Sequence, residues 1–237
     1  MAWSLLEIMI KKVDTPEPGE HTPSSARMAA RPSHKELYWI LGVMAGILAI
    51  LFLTPLIFEN IHTIVYKGLT FTKEKDSANN LFYHYFYYFT DAQGQQYKHN
   101  IYLRIDPREN NVSVDGTIIY PAGNRTVYYT INGTGLSSCP NSLRDVSAIS
   151  TFLTNNLFEV VSGTPDTKEA KDNNLREIRC DMYPDTTVIQ LQASATNITT
   201  IVRKNQCYII SVANCEILAA VEKFEIQSLL DAKQRSS

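Results

Sequence analysis

The chain has 237 residues, of which 44% are hydrophobic, and its 22 basic and 24 acidic side chains leave a formal net charge of −2. That balance offers no basic surface of the kind a phosphate backbone selects, which excludes nucleic acid as a partner. The length suits one domain of ordinary size plus whatever segment anchors or targets it.

Residues 1–36 form a tail in two parts. Trp3, Leu5, Leu6, Ile8, Met9 and Ile10, closed by Lys11 and Lys12, make the pattern of a short interfacial helix. Residues 15–31 are rich in Pro, Ser, Thr and Ala with no aliphatic run, a composition expected to be disordered. Residues 37–58, LYWILGVMAGILAILFLTPLIF, then run without a charge. About 20 apolar residues cross the hydrocarbon core as a helix, and lipid leaves the backbone no partner but itself. The run begins too deep and is too long for a cleaved signal peptide, so the expectation is an uncleaved signal-anchor helix. Gly42 and Gly46, extended by Ala45 and Ala49, give a small-residue face on which a second copy can approach, the expected route to a homodimer.

Orientation follows from what lies on each side. Arg27, Arg31 and Lys35 precede the run, against Lys67 and Lys73 after it. All four cysteines, Cys139, Cys180, Cys207 and Cys215, come after it, as do the Asn-X-Ser/Thr sequons at Asn111, Asn124, Asn132 and Asn197. Both features suit an oxidising lumen. The expected arrangement is therefore type II, with the N-terminus cytoplasmic, in the endoplasmic reticulum, the Golgi or the plasma membrane.

Residues 59–80 read as a stalk and residues 81–237 as a lumenal or extracellular α+β domain, an antiparallel sheet with about two packed helices. Residues 81–89, LFYHYFYYF, and 97–105 form a hairpin; in the second, Tyr97, His99, Ile101, Leu103 and Ile105 alternate with Lys98, Asn100, Tyr102 and Arg104. Residues 112–120 and 126–131 are further strands about the turn at 121–124. From Asn141 the period changes: Leu143, Val146, Ile149, Leu153 and Leu157 predict a helix to Val160, with Asn141 or Ser142 as its cap. Residues 162–174 read as a polar loop. Three strands follow at 186–193, 198–203 and 206–212, and Asn214 heads a last helix in which Ile217, Leu218, Val221 and Phe224 share a face, ending near Asp231.

Catalytic chemistry is sparse. His84 and His99 lie on neighbouring strands, where a facing pair is the one histidine arrangement open to a metal or a pH response. No HExxH, GxSxG, P-loop or paired-carboxylate signature occurs, so neither enzyme activity, a metal nor a cofactor is expected. The cysteines lack CxxC spacing, which favours disulfides over zinc. Cys207–Cys215 with Cys139–Cys180 staples neighbouring segments, whereas a bond from an end cysteine across the sheet restrains a longer loop; spacing does not choose.

Thr187-Val188-Ile189, then Asn197-Ile198-Thr199-Thr200-Ile201-Val202, then Gln206-Cys207-Tyr208-Ile209-Ile210 ahead of a helix together resemble the signature region of BRICHOS domains. The tail, single span and following domain are also similar. The resemblance implies a lumenal module that restrains aggregation of β-prone segments, with Cys207 as a disulfide partner. The sequence departs from that pattern in having Asp185 as its nearest acid and Cys215 only eight residues after Cys207. The functional expectation is a non-enzymatic type II membrane glycoprotein whose disulfide-bonded domain binds a protein partner or client; the alternative is an accessory or adhesion subunit of a membrane complex. Seven aromatics crowded into residues 82–89 exceed what one buried strand face needs, since neighbours point to opposite faces.

Overall fold

The computed structural model describes residues 34–90, 93–120 and 125–236. The expected interfacial helix, the disordered stretch and Asn124 lie outside these residues. Two bodies, Met1–Leu53 and Thr54–Ser237, are described each by itself.

Helix α1, His34–His62, carries helical backbone through the whole apolar run. Ile40, Leu41, Val43, Met44, Ile47 and Leu48 are all exposed, so no face of this stretch is polar and none is covered. Among the described residues no helix is long and apolar enough to cross a membrane. The apolar sequence continues to Phe58.

The second body is α+β. Strands β1 (Thr63–Tyr66), β2 (Leu69–Lys75), β3 (Leu81–Thr90) and β4 (Gln96–Leu103) form an antiparallel sheet in that order. Much of the segment read as a stalk is therefore sheet. Lys67 and Gly68, both at positive φ (47° and 79°), make the tight turn that lets β2 fold back on β1, a primed hairpin without the usual Asn-Gly signal.

A second, six-stranded sheet has the order β5-β9-β10-β8-β6-β7. Its members are β5 (Ser113–Asp115), β6 (Thr126–Ile131), β7 (Glu159–Gly163), β8 (Thr187–Ala193), β9 (Thr200–Lys204) and β10 (Cys207–Val212). The single antiparallel sheet read from the sequence is thus corrected to two sheets, the second mixed. Only β9 and β10 pair antiparallel in it; β5 with β9, β6 with β7, β6 with β8 and β8 with β10 are parallel. Helix α2 (Ser142–Asn155) between β6 and β7 supplies the crossover that parallel neighbours require.

Three boundaries differ for local reasons. The strand expected over 112–120 shrinks to β5 because Asp231 accepts from the Ile118 N–H at 2.6 Å and the Tyr208 hydroxyl serves both N–H and C=O of Ile119, at 2.6 and 2.8 Å, so side chains replace ladder bonds. The helix expected to reach Val160 stops at Asn155: Leu157 takes φ 62°, and the N–H groups of Leu157 and Phe158 return to Thr154 and Leu153 in a Schellman closure made without glycine. Within the expected loop, Asp166 caps a short helix α3, Thr167–Asp172, through the Glu169 N–H.

Helix α4, Ile217–Ser236, is buried from Ala220 to Ile226, two full turns with no exposed face. Phe224 packs on Tyr208 of the mixed sheet, while Glu222 and Lys223 meet residues of the antiparallel sheet and the loop that follows it. One apolar cluster runs from Phe71 and Leu103 through Leu153 and Phe224 to Ile189 and Ile210, so α4 and α2 lie in a core shared by both sheets. The opposite face of the mixed sheet buries Ile178, Val188 and Cys207 under the segment around Cys180.

Candidate interaction face on the four-stranded sheet

Strand β3 divides its aromatics by parity. Tyr83, Tyr85, Tyr87 and Phe89 point toward the core, where Tyr85 meets Phe71 (centroids 5.4 Å apart), Tyr87 meets His99 (5.2 Å), and the Tyr87 hydroxyl donates to Asn156 Oδ1. Phe86 and Tyr88 alternate with them onto the outer face and are 47% and 55% exposed; Tyr102 of β4 joins them at 55%. Phe86 and Tyr88 pack edge to face at 5.9 Å, Lys98 Nζ sits 4.3 Å over the Phe86 ring, and His84 stacks on Tyr102 at 4.5 Å. His84 is fixed between Glu74, 2.6 Å from Nδ1, and Asn100, 3.1 Å from Nε2. The outcome is an ordered outer strip of rings with a cation laid on it, bordered by β4, which among the described residues pairs only with β3.

The facing histidine pair does not form. Register sets His84 opposite Tyr102 and His99 opposite Tyr87, so the two imidazoles lie on opposite faces of the sheet. His99 is buried against Tyr87 and Phe152, and burial lowers its pKa. No three His, Cys, Asp or Glu side chains gather to hold a metal among the described residues.

The four cysteines form Cys139–Cys215 and Cys180–Cys207. The first ties the start of α2 to the entry of α4; the second clips the 173–186 segment to β10. Asn111 and Asn197 are exposed just ahead of β5 and β9, and Asn132, after β6, is half-buried with its side-chain oxygen accepting from the Thr134 N–H at 3.1 Å. At Gly42 and Gly46 an added Cβ meets nothing within 4 Å, so the small face of α1 is open.

Beneath the aromatic face lies a buried polar group that no sequence pattern announces. Glu222 of α4 accepts from the N–H groups of Arg104 (2.7 Å) and Ile105 (3.0 Å), holding the end of β4 to the helix. Arg104 and Arg144 both reach Asp145 of α2 at 3.1 Å. Burial pushes the Glu222 carboxyl up to about 7 against the pull of those amides. Glu225, one turn on, is pushed up to about 8 by burial and then by the charge of Glu222. Neither Glu222 nor Glu225 belongs to the apolar set Ile217, Leu218, Val221 and Phe224 that marks α4 in the sequence, so no local pattern points to their burial.

No family model matches the chain, and neither a curated protein nor a solved structure does. The likeness to BRICHOS domains therefore stands on residues 187–210 alone.

Proposed function

We propose that this chain is a non-enzymatic, single-pass type II membrane glycoprotein whose disulfide-bonded domain binds protein partners through the outer face of its four-stranded sheet. The observation that carries the binding reading is the strip of Phe86, Tyr88 and Tyr102, exposed on a domain whose other described aromatic rings are buried or half-buried. Tyrosine and other aromatics dominate interface hot spots because they bring large area at small entropic cost. The anchor reading is supported by α1, helical across the uncharged run with uncovered apolar side chains on every side, the pattern of a helix meant for an apolar surrounding. The two disulfides support a lumenal domain.

The test uses the full-length protein extracted from membranes. Proteins crosslinked to the native chain should be lost with Phe86→Ser/Tyr88→Ser and kept with Leu143→Ser, a lone exposed leucine at 84% on α2. Equal recovery from all three would reject the face, and release of the chain by alkaline carbonate would reject the anchor. The position of β4 beside the aromatic strip, paired among the described residues with β3 alone, favours one second reading, a BRICHOS-like capture of extended clients by strand addition. Under it, the protein delays fibril formation by a model amyloid peptide at equimolar ratio, and no delay rejects it.

A further inference from the structure

Asn111 and Asn197 belong to different regions of the sequence but to one place in the fold. Strands β5 and β9 are parallel neighbours with Ser113 opposite Thr200, at a strand spacing of about 5 Å, so the two sequons lead into the sheet side by side. Both asparagines are exposed, and both line a single open cleft of about 380 Å³, at the small end of ligand-sized sites. Its floor is fixed: Asn110 donates from Nδ2 to the Ala219 carbonyl at 2.8 Å, and its own carbonyl accepts from Lys223 Nζ at 2.8 Å. Its wall includes Ile198, 62% exposed, with the carboxylates of Glu109 and Glu216 beside it. An apolar side chain flanked by acceptors is the surface a sugar ring fits, since its C–H face packs and its hydroxyls donate. The cleft opens where the chain enters β5 and β9, against Asn111, Val112 and the 197–199 segment, just ahead of both strands.

Resting on the lumenal reading above, we propose that this cleft is filled by the chain's own N-glycans, with the first N-acetylglucosamine residues on Asn111 and Asn197 packing over Ile198 and shielding the entry to β5 and β9. Transfer forms the Asn Nδ2–C1 bond, breaks the sugar–phosphate bond of a lipid-linked pyrophosphate oligosaccharide, and releases the lipid pyrophosphate with the amide proton. The two acceptors differ in timing. Ser113 is exposed, whereas Thr199 is buried, its hydroxyl accepting from the Ala213 N–H at 3.0 Å and contacting Glu216 Oε2 at 2.6 Å. The transferase has to reach that hydroxyl, so Asn197 receives its glycan before the domain closes.

The experiment compares the full-length glycoprotein from a secretory host, trimmed enzymatically to single N-acetylglucosamine residues, with Ser113→Ala/Asn197→Gln, which carries neither glycan and spares the structural Thr199 hydroxyl. Glycopeptide mapping should find sugar at both asparagines. Amides of residues 112–115 and 197–200 should exchange with deuterium several-fold more slowly in the trimmed protein than in the double variant, while β3 exchanges alike in both. A bare Asn111 or Asn197, or equal exchange at the entry to β5 and β9, overturns the proposal. Were every sequon bare, the lumenal reading itself would fail; glycans at Asn124 or Asn132 alone would overturn only the cleft.

Discussion

Helices α1 and α4 invert each other. Across its described stretch α1 is apolar on all sides and covered on none, whereas α4 is covered on all sides between Ala220 and Ile226 and yet carries Glu222, Lys223 and Glu225 in those two turns. Composition therefore does not tell which helix is inside the fold; the supply of partners does. Glu222 is tolerated because the N–H groups of Arg104 and Ile105 complete it, and Lys223 because the Asn110 carbonyl does. Between Tyr38 and Thr54, α1 carries no charged side chain that would need such a partner.

The sharpest version of this contrast is one substitution made in both helices. Phe224 is fully buried against Tyr208, so Phe224→Ala leaves a cavity and should cost about 3–5 kcal/mol of domain stability. Phe52, 74% exposed on α1, should cost the domain nothing measurable on the same change. Denaturant unfolding in detergent, followed by near-ultraviolet circular dichroism, separates the two. Comparable losses would mean that the domain packs on α1 and that the contrast is false.

The next effect is a pH dependence lodged in α4 alone. The Glu222 and Glu225 carboxyls are raised from an ordinary 4.5 to about 7 and about 8, so between pH 4.5 and 8 the folded chain holds protons that the unfolded chain has released. Their stabilisation is complete below pH 4.5 and is lost as pH rises through 7–8, an effect on the order of 3–5 kcal/mol for Glu225. His99 works in the opposite direction: its lowered pKa makes stability fall as pH drops below 6.5. Asp106, held below 3.8 chiefly by its hydrogen bonds from Arg108, adds a further loss at strongly acidic pH. Stability should accordingly peak in mildly acidic solution. Glu225→Gln should flatten the fall between pH 6 and 9 and raise stability at pH 9. Glu222→Gln should flatten it too but cost stability at pH 5, because an amide keeps one acceptor oxygen where the Glu222 carboxyl offers Oε1 and Oε2 to two N–H groups. A denaturation midpoint rising from pH 6 to 9 in the native chain would refute the assignment.

These buried groups mark the limit of what the sequence makes legible. Local patterns served well where the period was clean: β4 emerges from alternation with β3 as its hairpin partner, β8, β9 and β10 from their Val, Ile and Thr content, and α2 from its apolar spacing. What escaped depended on distant partners. The end of β5 is decided by Asp231 and Tyr208, the parallel pairing of β6 with β7 and β8 by the way the chain crosses over through α2, and the disulfide partners by the stacking of β10 on β8. For the candidate face, the excess of aromatics was visible in residues 82–89, but their division into an inner set and an outer strip needed the register of β3 against β4. The cleft at Asn111 and Asn197 needed the pairing of β5 with β9, which joins positions 87 residues apart, as Ser113 and Thr200.

The smallest expected effect tests α1 without touching the domain. Space around Gly42 and Gly46 is open to a Cβ, so Gly42→Leu/Gly46→Leu introduces no clash within one copy and should leave the unfolding midpoint of the disulfide-bonded domain unchanged. If two copies approach along this face, leucine in place of glycine separates the helix axes and forfeits the close backbone packing on which such contacts depend, a loss of about 1–2 kcal/mol. Energy transfer between labelled copies in liposomes should then fall several-fold at fixed protein-to-lipid ratio. Unchanged transfer would show that the open face is lipid-facing, and α1 would differ from α4 in having no protein partner at all.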